Sequence, residues 1–187
     1  MEKLFFFDLE TTGLYHWRHG IHQIAGMIVI DGEVKDEFNF NVKPNPKATI
    51  EKEALAVAGV TLNRVMAYPD MKEVHAQLLK VLAKHVDKFK KTDKFHLVGF
   101  NNAGFDNAFF RAFFKQNGDE YFGSWFWSDT IDVMSLASFH LREQRAKLEN
   151  FKLATVAEYL GVKVDKEKLH DAMYDIYLTK AIFDIIQ

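Results

Sequence analysis

The sequence predicts an α/β domain built on a mixed central sheet, and three observations lead to this prediction. Residues 4–7 (Leu-Phe-Phe-Phe) form a short apolar run, which is typical of a strand buried on both faces. Two β-branched and aromatic segments follow and are joined by Asp31-Gly32, a strong hairpin signal. Beyond them, helical and strand-like segments alternate and the chain ends with helices, which is the order expected of an α/β fold.

Each strand is predicted from its own local pattern. The segments with strand character are residues 4–7, 21–30, 34–42, 95–100 and 125–127. We expect the second and third to pair antiparallel, because Asp31-Gly32 suits a two-residue turn. The first strand is followed at once by Asp8, and Gly13 supplies a turn after it.

Helices are predicted where apolar residues recur at intervals of three and four positions. The predicted helices cover residues 51–58, 70–86, 103–114, 131–141, 153–160 and 166–186. Asp70 is a suitable N-cap for the second of them, and Asn117-Gly118 and Gly161 are stop signals for later ones.

Composition limits the classes of function. With 187 residues, 48% of them hydrophobic, we expect one domain over residues 1–187 with one sizeable core. A net charge of −2 excludes a generally basic surface that coats duplex nucleic acid, so any such contact must be local. A lysine cluster could contact phosphates, although a solvated charged face is the simpler interpretation. Its members are Lys80, Lys84, Lys88, Lys90, Lys91 and Lys94.

No apolar run approaches the roughly 20 residues that are needed to span a bilayer. The chain contains no cysteine, which excludes disulfides and thiolate metal sites and fits a reducing compartment. We therefore expect a soluble, cytoplasmic protein without a membrane partner.

Two acids at the end of the first predicted strand are the first chemical signal. Asp8 and Glu10 flank Leu9, so the alternation of a strand directs both carboxylates to one side. Burying ionised carboxylates without a partner is costly, and no Arg or Lys adjoins the pair in the sequence. A divalent metal ion would be the simplest compensating charge, and a solvated strand end is the alternative interpretation.

Two further acidic positions lie far along the chain. Asp106 comes after the fourth strand in the first turn of a predicted helix, where an acid by itself often only complements the helix dipole. His170 and Asp175 fall on the predicted last helix, about 140° apart, so they could flank one cleft but do not form a zinc-binding i, i+4 pair. Asp171 is the competing acid there, and His170 alone is more typical of an ordinary helix-end histidine.

Three segments taken together resemble a known family. Residues 7–14 (FDLETTGL), 102–106 (NAGFD) and 170–175 (HDAMYD) are similar, in this order, to the three motifs of the DnaQ-like DEDDh 3′-to-5′ exonucleases. The similarity also reaches residues 58–61, 129–131 and 153–161, so it covers essentially the whole chain. The resemblance implies a ribonuclease H-like fold, with a mixed sheet of about five strands and helices on both faces.

The resemblance also implies a catalytic set. Its metal-binding acids are Asp8, Glu10, Asp106 and Asp175, and its catalytic histidine and general base is His170. Carboxylate oxygens suit two Mg²⁺ or Mn²⁺ ions, and four acids without a cysteine argue against zinc. Two such ions can activate water, neutralise the phosphate and assist the leaving 3′-oxygen. The products would be nucleoside 5′-monophosphates.

Residues that hold the substrate follow from the same resemblance. They are Thr11, Thr12, Leu14, Asn102 and Phe105, with Leu14 wedged against the terminal base. Two positions depart from the family pattern, since Asn101 and Ala58 stand where its members often have histidine. Neither change removes a metal ligand, but both concern contacts to the terminal nucleotide and hence the substrate preference.

The expected function is a 3′-to-5′ exonuclease that acts on single-stranded or frayed 3′ ends, DNA being favoured and a DNA polymerase being a candidate partner. One alternative is an RNA-trimming exoribonuclease of the same fold, because no residue reports clearly on the 2′-hydroxyl. The other is a catalytically quiet module that binds nucleic acid or docks to a polymerase.

Overall fold

A five-stranded mixed sheet lies at the centre of the computed structural model, which describes residues 1–187. The strands are β1 (Lys3–Thr11), β2 (Ile21–Ile30), β3 (Glu33–Asn41), β4 (Phe95–Gly99) and β5 (Phe126–Asp132). They are arranged in the order β3-β2-β1-β4-β5. The first three are antiparallel, whereas β4 runs parallel to β1 and β5 runs parallel to β4. The predicted mixed sheet is confirmed.

Eight helices accompany the sheet. They are α1 (Lys52–Val57), α2 (Leu62–Met66), α3 (Met71–Ala83), α4 (Asp106–Gln116), α5 (Phe122–Trp125), α6 (Val133–His140), α7 (Leu153–Tyr159) and α8 (Ala172–Ile186). A 3₁₀ turn follows α6 at Arg145–Lys147. None of the helices has both the length and the apolar character required to cross a membrane.

Helices cover both faces of the sheet, and the side chains of β1 point alternately into the two core clusters on these faces. Phe5 and Phe7 pack with α3, α4 and α5 on one face. Leu4 and Phe6 pack with α6, α7 and α8 on the other. Even-numbered residues of β1 therefore face α8, which sets the direction that acids later in the strand must take.

The hairpin between β2 and β3 has the predicted turn. Asp31 has φ of 49° and Gly32 has φ of 82°, so both central residues are left-handed, as a type I′ turn requires. This turn fixes the pairing of β2 with β3 and gives β1 a rigid neighbour on that side.

Some element boundaries differ from the sequence prediction. β1 extends beyond the apolar run of residues 4–7 to Thr11, with both acids on the strand as expected, because β2 pairs with it along that whole length. The fifth strand begins at Phe126 rather than Trp125, which belongs to α5, and it extends to Asp132. Hydrogen bonding to a neighbouring strand, which a local apolar pattern does not report, sets these limits.

Two helices, α2 and α5, were not predicted, and two others differ from their predicted extent. α2 is a single short turn capped by Thr61. The helix expected over residues 103–114 begins only at Asp106, because the chain before it forms a loop. The last helix begins at Ala172 instead of residue 166, and this change moves His170 off the helix.

We predict that Phe5→Ala lowers the free energy of unfolding by about 3–5 kcal/mol, because it opens a cavity in the aromatic core. Phe5 is fully buried, and five other phenylalanine rings lie within 6.0 Å of its ring centroid. Urea unfolding measures the change. The control is Phe89→Ala, a ring that is 86% exposed, which should change stability by less than about 0.5 kcal/mol. Similar losses in both variants would contradict this account of the core.

Candidate functional site

The end of β1 projects beyond its parallel neighbour. β1 pairs with β4 only over Leu4 to Phe6, while its pairing with β2 continues to Thr11. Asp8 and Glu10 lie in this projecting part, on the side of the strand that faces α8. A cleft at the carboxyl edge of the sheet therefore receives both carboxylates.

Asp106 reaches the same edge from β4. The chain leaves β4, turns through residues 100–105 and enters α4 at Asp106, whose side chain is buried. Asn101 has φ of 63°, a left-handed conformation that asparagine tolerates better than most residues.

Asp132 fixes this turn, and the sequence reasoning did not identify it. Its carboxylate accepts hydrogen bonds from the backbone N–H of Asn101 at 3.0 Å and of Ala103 at 3.2 Å. It also caps α6 by accepting from the N–H of Met134 at 3.0 Å. An aspartate directly before an apolar helical segment is an N-cap signal that could have located it.

His170 and Asp175 reach the cleft in a different way from that predicted. His170 is not helical but has φ of 69°, just before Asp171, so the angle of 140° inferred for a shared helix is wrong. The helix begins only after Asp171, whose side chain is the N-cap and accepts from the N–H of Tyr174 at 2.9 Å. Asp175 lies in the first turn of α8, and the competing acid Asp171 is occupied by the cap.

The structure brings the five expected catalytic side chains together. One cleft of about 510 Å³ is lined by Asp8, Glu10, Asp106, His170 and Asp175, together with Phe105, Asn101 and Lys152. The acids come from three distant parts of the chain, so their proximity is produced by the fold and not by sequence neighbourhood.

Burial and mutual repulsion dominate the electrostatics of the cleft. Burial raises the pKa of Asp8 well above its ordinary value, and the carboxylates of Asp106 and Glu10 raise it further. Burial is also the main cause that raises the pKa of Glu10 to about 7, of Asp106 to about 7 and of Asp175 to about 6. His170 opposes the shift at Asp175 but does not cancel it. The cleft is thus an anionic site in which nearby positive charge does not balance the carboxylates.

The donor set suits a hard divalent cation. It offers carboxylate oxygens, and Oδ1 of Asp175 is buried without a hydrogen-bond partner. No three His, Asp or Glu side chains are already arranged around one point as metal ligands. A bound cation would offset the repulsion among the carboxylates. The residues therefore fit a divalent metal ion by the chemistry of their donors.

A second, more apolar pocket adjoins the cleft. It measures about 340 Å³ and shares Leu9, Glu10 and Phe105 with the cleft. Its other lining residues include Thr11, Gly13, Leu14, Glu51, Glu53, Ala54 and Val57. Leu14 is 69% exposed at its rim, and the hydroxyl of Thr11 donates to the carbonyl of Gly13 at 2.9 Å. Glu51 and Glu53 were not identified from the sequence, since nothing local relates α1 to the first motif.

Thr12 and Asn102 differ from the expectation that they contact substrate. Thr12 is fully buried, where its hydroxyl accepts from the N–H of Gly20 at 2.9 Å and donates to the carbonyl of Thr49 at 2.8 Å. Asn102 is 1% exposed, and its Nδ2 donates to the hydroxyl of Thr130 at 2.7 Å. Burial removes both side chains from the surface of the cleft. Their hydrogen bonds instead fix the loops beside it.

A comparison with protein families decides the relationship. The RNase T family model, described as an exonuclease, matches residues 5–183. The chain belongs to this exonuclease family. The predicted relationship to the DnaQ-like enzymes is thereby confirmed, and metal dependence is a property of the family.

Two kinds of relative share sequence with this exonuclease. PolC-type DNA polymerase III of Bacillus cereus is 27% identical over 97% of the chain, which spans only 11% of that polymerase. Ribonuclease T of Shewanella frigidimarina is 26% identical over 96% of the chain and 79% of the relative. The chain therefore corresponds to a small part of the polymerases and to most of ribonuclease T.

The fold is that of solved exonucleases. E. coli exonuclease I in complex with a dT13 oligonucleotide superimposes with a TM-score of 0.78 at 21% identity, over 100% of this chain and 41% of that one. Another structure of exonuclease I is described as a zinc-bound complex with single-stranded DNA. The predicted ribonuclease H-like fold, with helices on both faces of a mixed sheet, is confirmed.

We predict that Asp8→Asn stabilises the metal-free exonuclease at pH 7.5. Carboxyl groups with raised pKa values favour the folded state at low pH, and this contribution is lost as the pH rises from about 4 through about 7. One fewer negative charge should reduce that loss. In EDTA, the variant and the wild type should melt at similar temperatures near pH 4.5, and the variant at least about 2 °C higher at pH 7.5.

The control for this comparison is Asp129→Asn, which alters an exposed acid on β5 and should melt like the wild type at both pH values. A melting temperature of Asp8→Asn at or below that of the wild type at pH 7.5 would contradict the repulsion described for the cleft.

Proposed function

We propose that this exonuclease removes nucleotides one at a time from the 3′ end of single-stranded or frayed nucleic acid, with DNA as the favoured substrate. The observation that carries the proposal is the convergence of four carboxylates and one histidine in a cleft beside an apolar pocket. The cleft has the residue types that phosphodiester hydrolysis needs, and the pocket has the size and character to receive a base and its sugar.

In this proposal, Asp8, Glu10, Asp106 and Asp175 hold two divalent cations, Mg²⁺ or Mn²⁺. When bound, such ions supply an activated water and stabilise charge on the phosphate and the leaving oxygen. Oxygen-only donors and the raised pKa values of the acids support this assignment, since a cation would offset the repulsion among them. Zinc-bound exonuclease I makes Zn²⁺ a third ion to be tested, despite the absence of cysteine here.

His170 is the proposed general base. It is exposed at the rim of the cleft, outside the helix, where its imidazole can take a proton from the attacking water and release it to solvent. Leu14 and Phe105 are proposed to hold the terminal nucleotide between them, and Thr11 lines the same pocket. The bond that breaks joins the last phosphorus to the 3′-oxygen of the preceding nucleotide, and a nucleoside 5′-monophosphate is released.

An exoribonuclease that trims RNA is the second candidate, and the similarity to ribonuclease T favours it. The PolC-type relatives instead support a DNA substrate and a polymerase as partner. The cytoplasm is the proposed compartment, because a chain without cysteine suits a reducing environment. End-labelled DNA and RNA of matched sequence, digested side by side with Mg²⁺, Mn²⁺ or Zn²⁺, separate these substrates.

Purified enzyme should release mononucleotides from an end-labelled single strand, and EDTA should stop the reaction. Asp175→Asn should lower kcat/KM on the order of 10³-fold, because the carboxylate helps to hold the ions that stabilise the transition state. Asp171→Asn is the matched control, since asparagine preserves the N-cap and the cleft keeps its acids. Full activity of Asp175→Asn would refute the site, and internal cutting of a strand with a blocked 3′ end would refute the exonuclease mode.

His170→Ala should reduce kcat by about 10²- to 10⁴-fold, the range that a general base contributes, while the affinity for an oligonucleotide stays unchanged. Single-turnover hydrolysis and fluorescence anisotropy measure the two quantities on the same preparation. Unchanged turnover would exclude His170 as the base.

A further inference from the structure

The loop between β1 and β2 exposes two aromatic rings beside the site. Trp17 is 73% exposed and Tyr15 is 47% exposed. The two rings are stacked, with centroids 5.1 Å apart and an interplanar angle of 28°. An exposed aromatic surface of this kind is unfavourable in water by itself, so it indicates a binding surface.

This loop is held firmly, so the exposed rings have a defined direction. His19 is buried, and its Nδ1 accepts from the N–H of Tyr15 at 2.9 Å. Its Nε2 lies 3.0 Å from a carboxylate oxygen of Glu51. The imidazole also packs over Gly13, where an added Cβ would come within 2.5 Å of the ring. A rigid loop that presents aromatic rings loses little conformational freedom when it binds.

The rings are connected to the catalytic cleft by contacts. Phe105, which lines the cleft and the apolar pocket, lies 4.9 Å from Phe109 between ring centroids. The ring centroid of Phe109, which is buried, lies 6.3 Å from that of His16. The ring centroid of His16 in turn lies 5.0 Å from that of Trp17. Leu14, next to Tyr15 in the chain, forms the rim of the pocket. A continuous series of side chains therefore links the aromatic pair to the residues proposed to hold the terminal nucleotide.

Positive charge accompanies the rings. Trp17, Arg18 and Lys47 line one surface hollow of about 500 Å³, and neither cation takes part in an ion pair. In the apolar pocket, by contrast, Glu51 and Glu53 disfavour a phosphate. Phosphates are therefore favoured beside Arg18 and Lys47 and disfavoured in the apolar pocket.

We propose that Tyr15 and Trp17, with Arg18 and Lys47, form a stacking platform for the unpaired nucleotides that precede the 3′-terminal one. This inference rests on the proposed function and names the form of its substrate, a single strand long enough to reach from the cleft to the rings. Bases stack on aromatic rings only when they are unpaired, and phosphates pair with the adjacent cations. A duplex cannot offer its base faces in this way, so it gains nothing from the platform.

The lysine cluster near residues 80–94 supplies a comparison surface. Phe89 is exposed there beside Lys88, whose Nζ lies 5.3 Å from the ring centroid. This surface precedes the amino end of β4, whereas the cleft lies at the carboxyl ends of β1 and β4. It has the same chemistry as the platform but lies at the opposite end of the sheet.

The test compares Trp17→Ala with Phe89→Ala on oligothymidylates of two and eight nucleotides. For the wild type, kcat/KM should be greater for the octamer than for the dimer. Trp17→Ala should reduce this ratio about tenfold by raising KM for the octamer. A tenfold change is within the contribution of one stacked base. Trp17→Phe should restore most of the ratio, whereas Phe89→Ala should leave it as in the wild type.

A binding measurement separates this inference from the proposed function. Anisotropy of labelled octamer in EDTA should report about tenfold weaker binding by Trp17→Ala than by the wild type, and no change in binding of a blunt duplex. If hydrolysis is absent but this difference remains, the platform stands and the proposed function fails. If hydrolysis occurs and Trp17→Ala binds and cleaves the octamer like the wild type, the platform is wrong and the proposed function stands. A loss in Phe89→Ala alone would place the strand on the lysine cluster and would also overturn the inference.

Discussion

Repulsion among four carboxylates, held partly out of water at one edge of the sheet, is the constraint on which the rest of this structure depends. A chain that only had to fold would separate such groups or pair them with lysine and arginine. Here their pKa values are raised, and one buried carboxylate oxygen has no partner. The fold must hold these groups near one another against their mutual repulsion.

Rigid support around the edge makes this possible. β1 is anchored below the acids by phenylalanine rings on both of its faces, so its projecting end follows from a well-packed strand. Asp132 ties the turn before Asp106 to the start of α6 through backbone hydrogen bonds. The N-cap of Asp171 sets where α8 begins and hence where Asp175 lies. Each acid is thus placed by neighbours that have no chemical role of their own.

Two surfaces beside the acidic cleft suit different parts of a bound polymer. An apolar pocket with glutamates at its rim suits a base and sugar, and the aromatic loop with Arg18 and Lys47 suits the next bases and phosphates. His19 joins the two regions, because one ring contacts Gly13, Tyr15 and Glu51. The net charge of −2 is compatible with such a surface, since the positive charge is needed only locally.

The sequence by itself determined the fold class, the β2–β3 turn and the four acids and one histidine that line the cleft. The apolar run of residues 4–7, Asp31-Gly32 and each of the three motifs are local patterns of neighbouring residues, and the structure retains each of them. Only the tertiary structure decided that His170 precedes the helix, that Thr12 and Asn102 are interior, and that Asp132, Glu51 and Glu53 adjoin the site. The physical reason is that burial, strand length and capping depend on hydrogen-bond partners remote in the sequence, which a local pattern cannot specify.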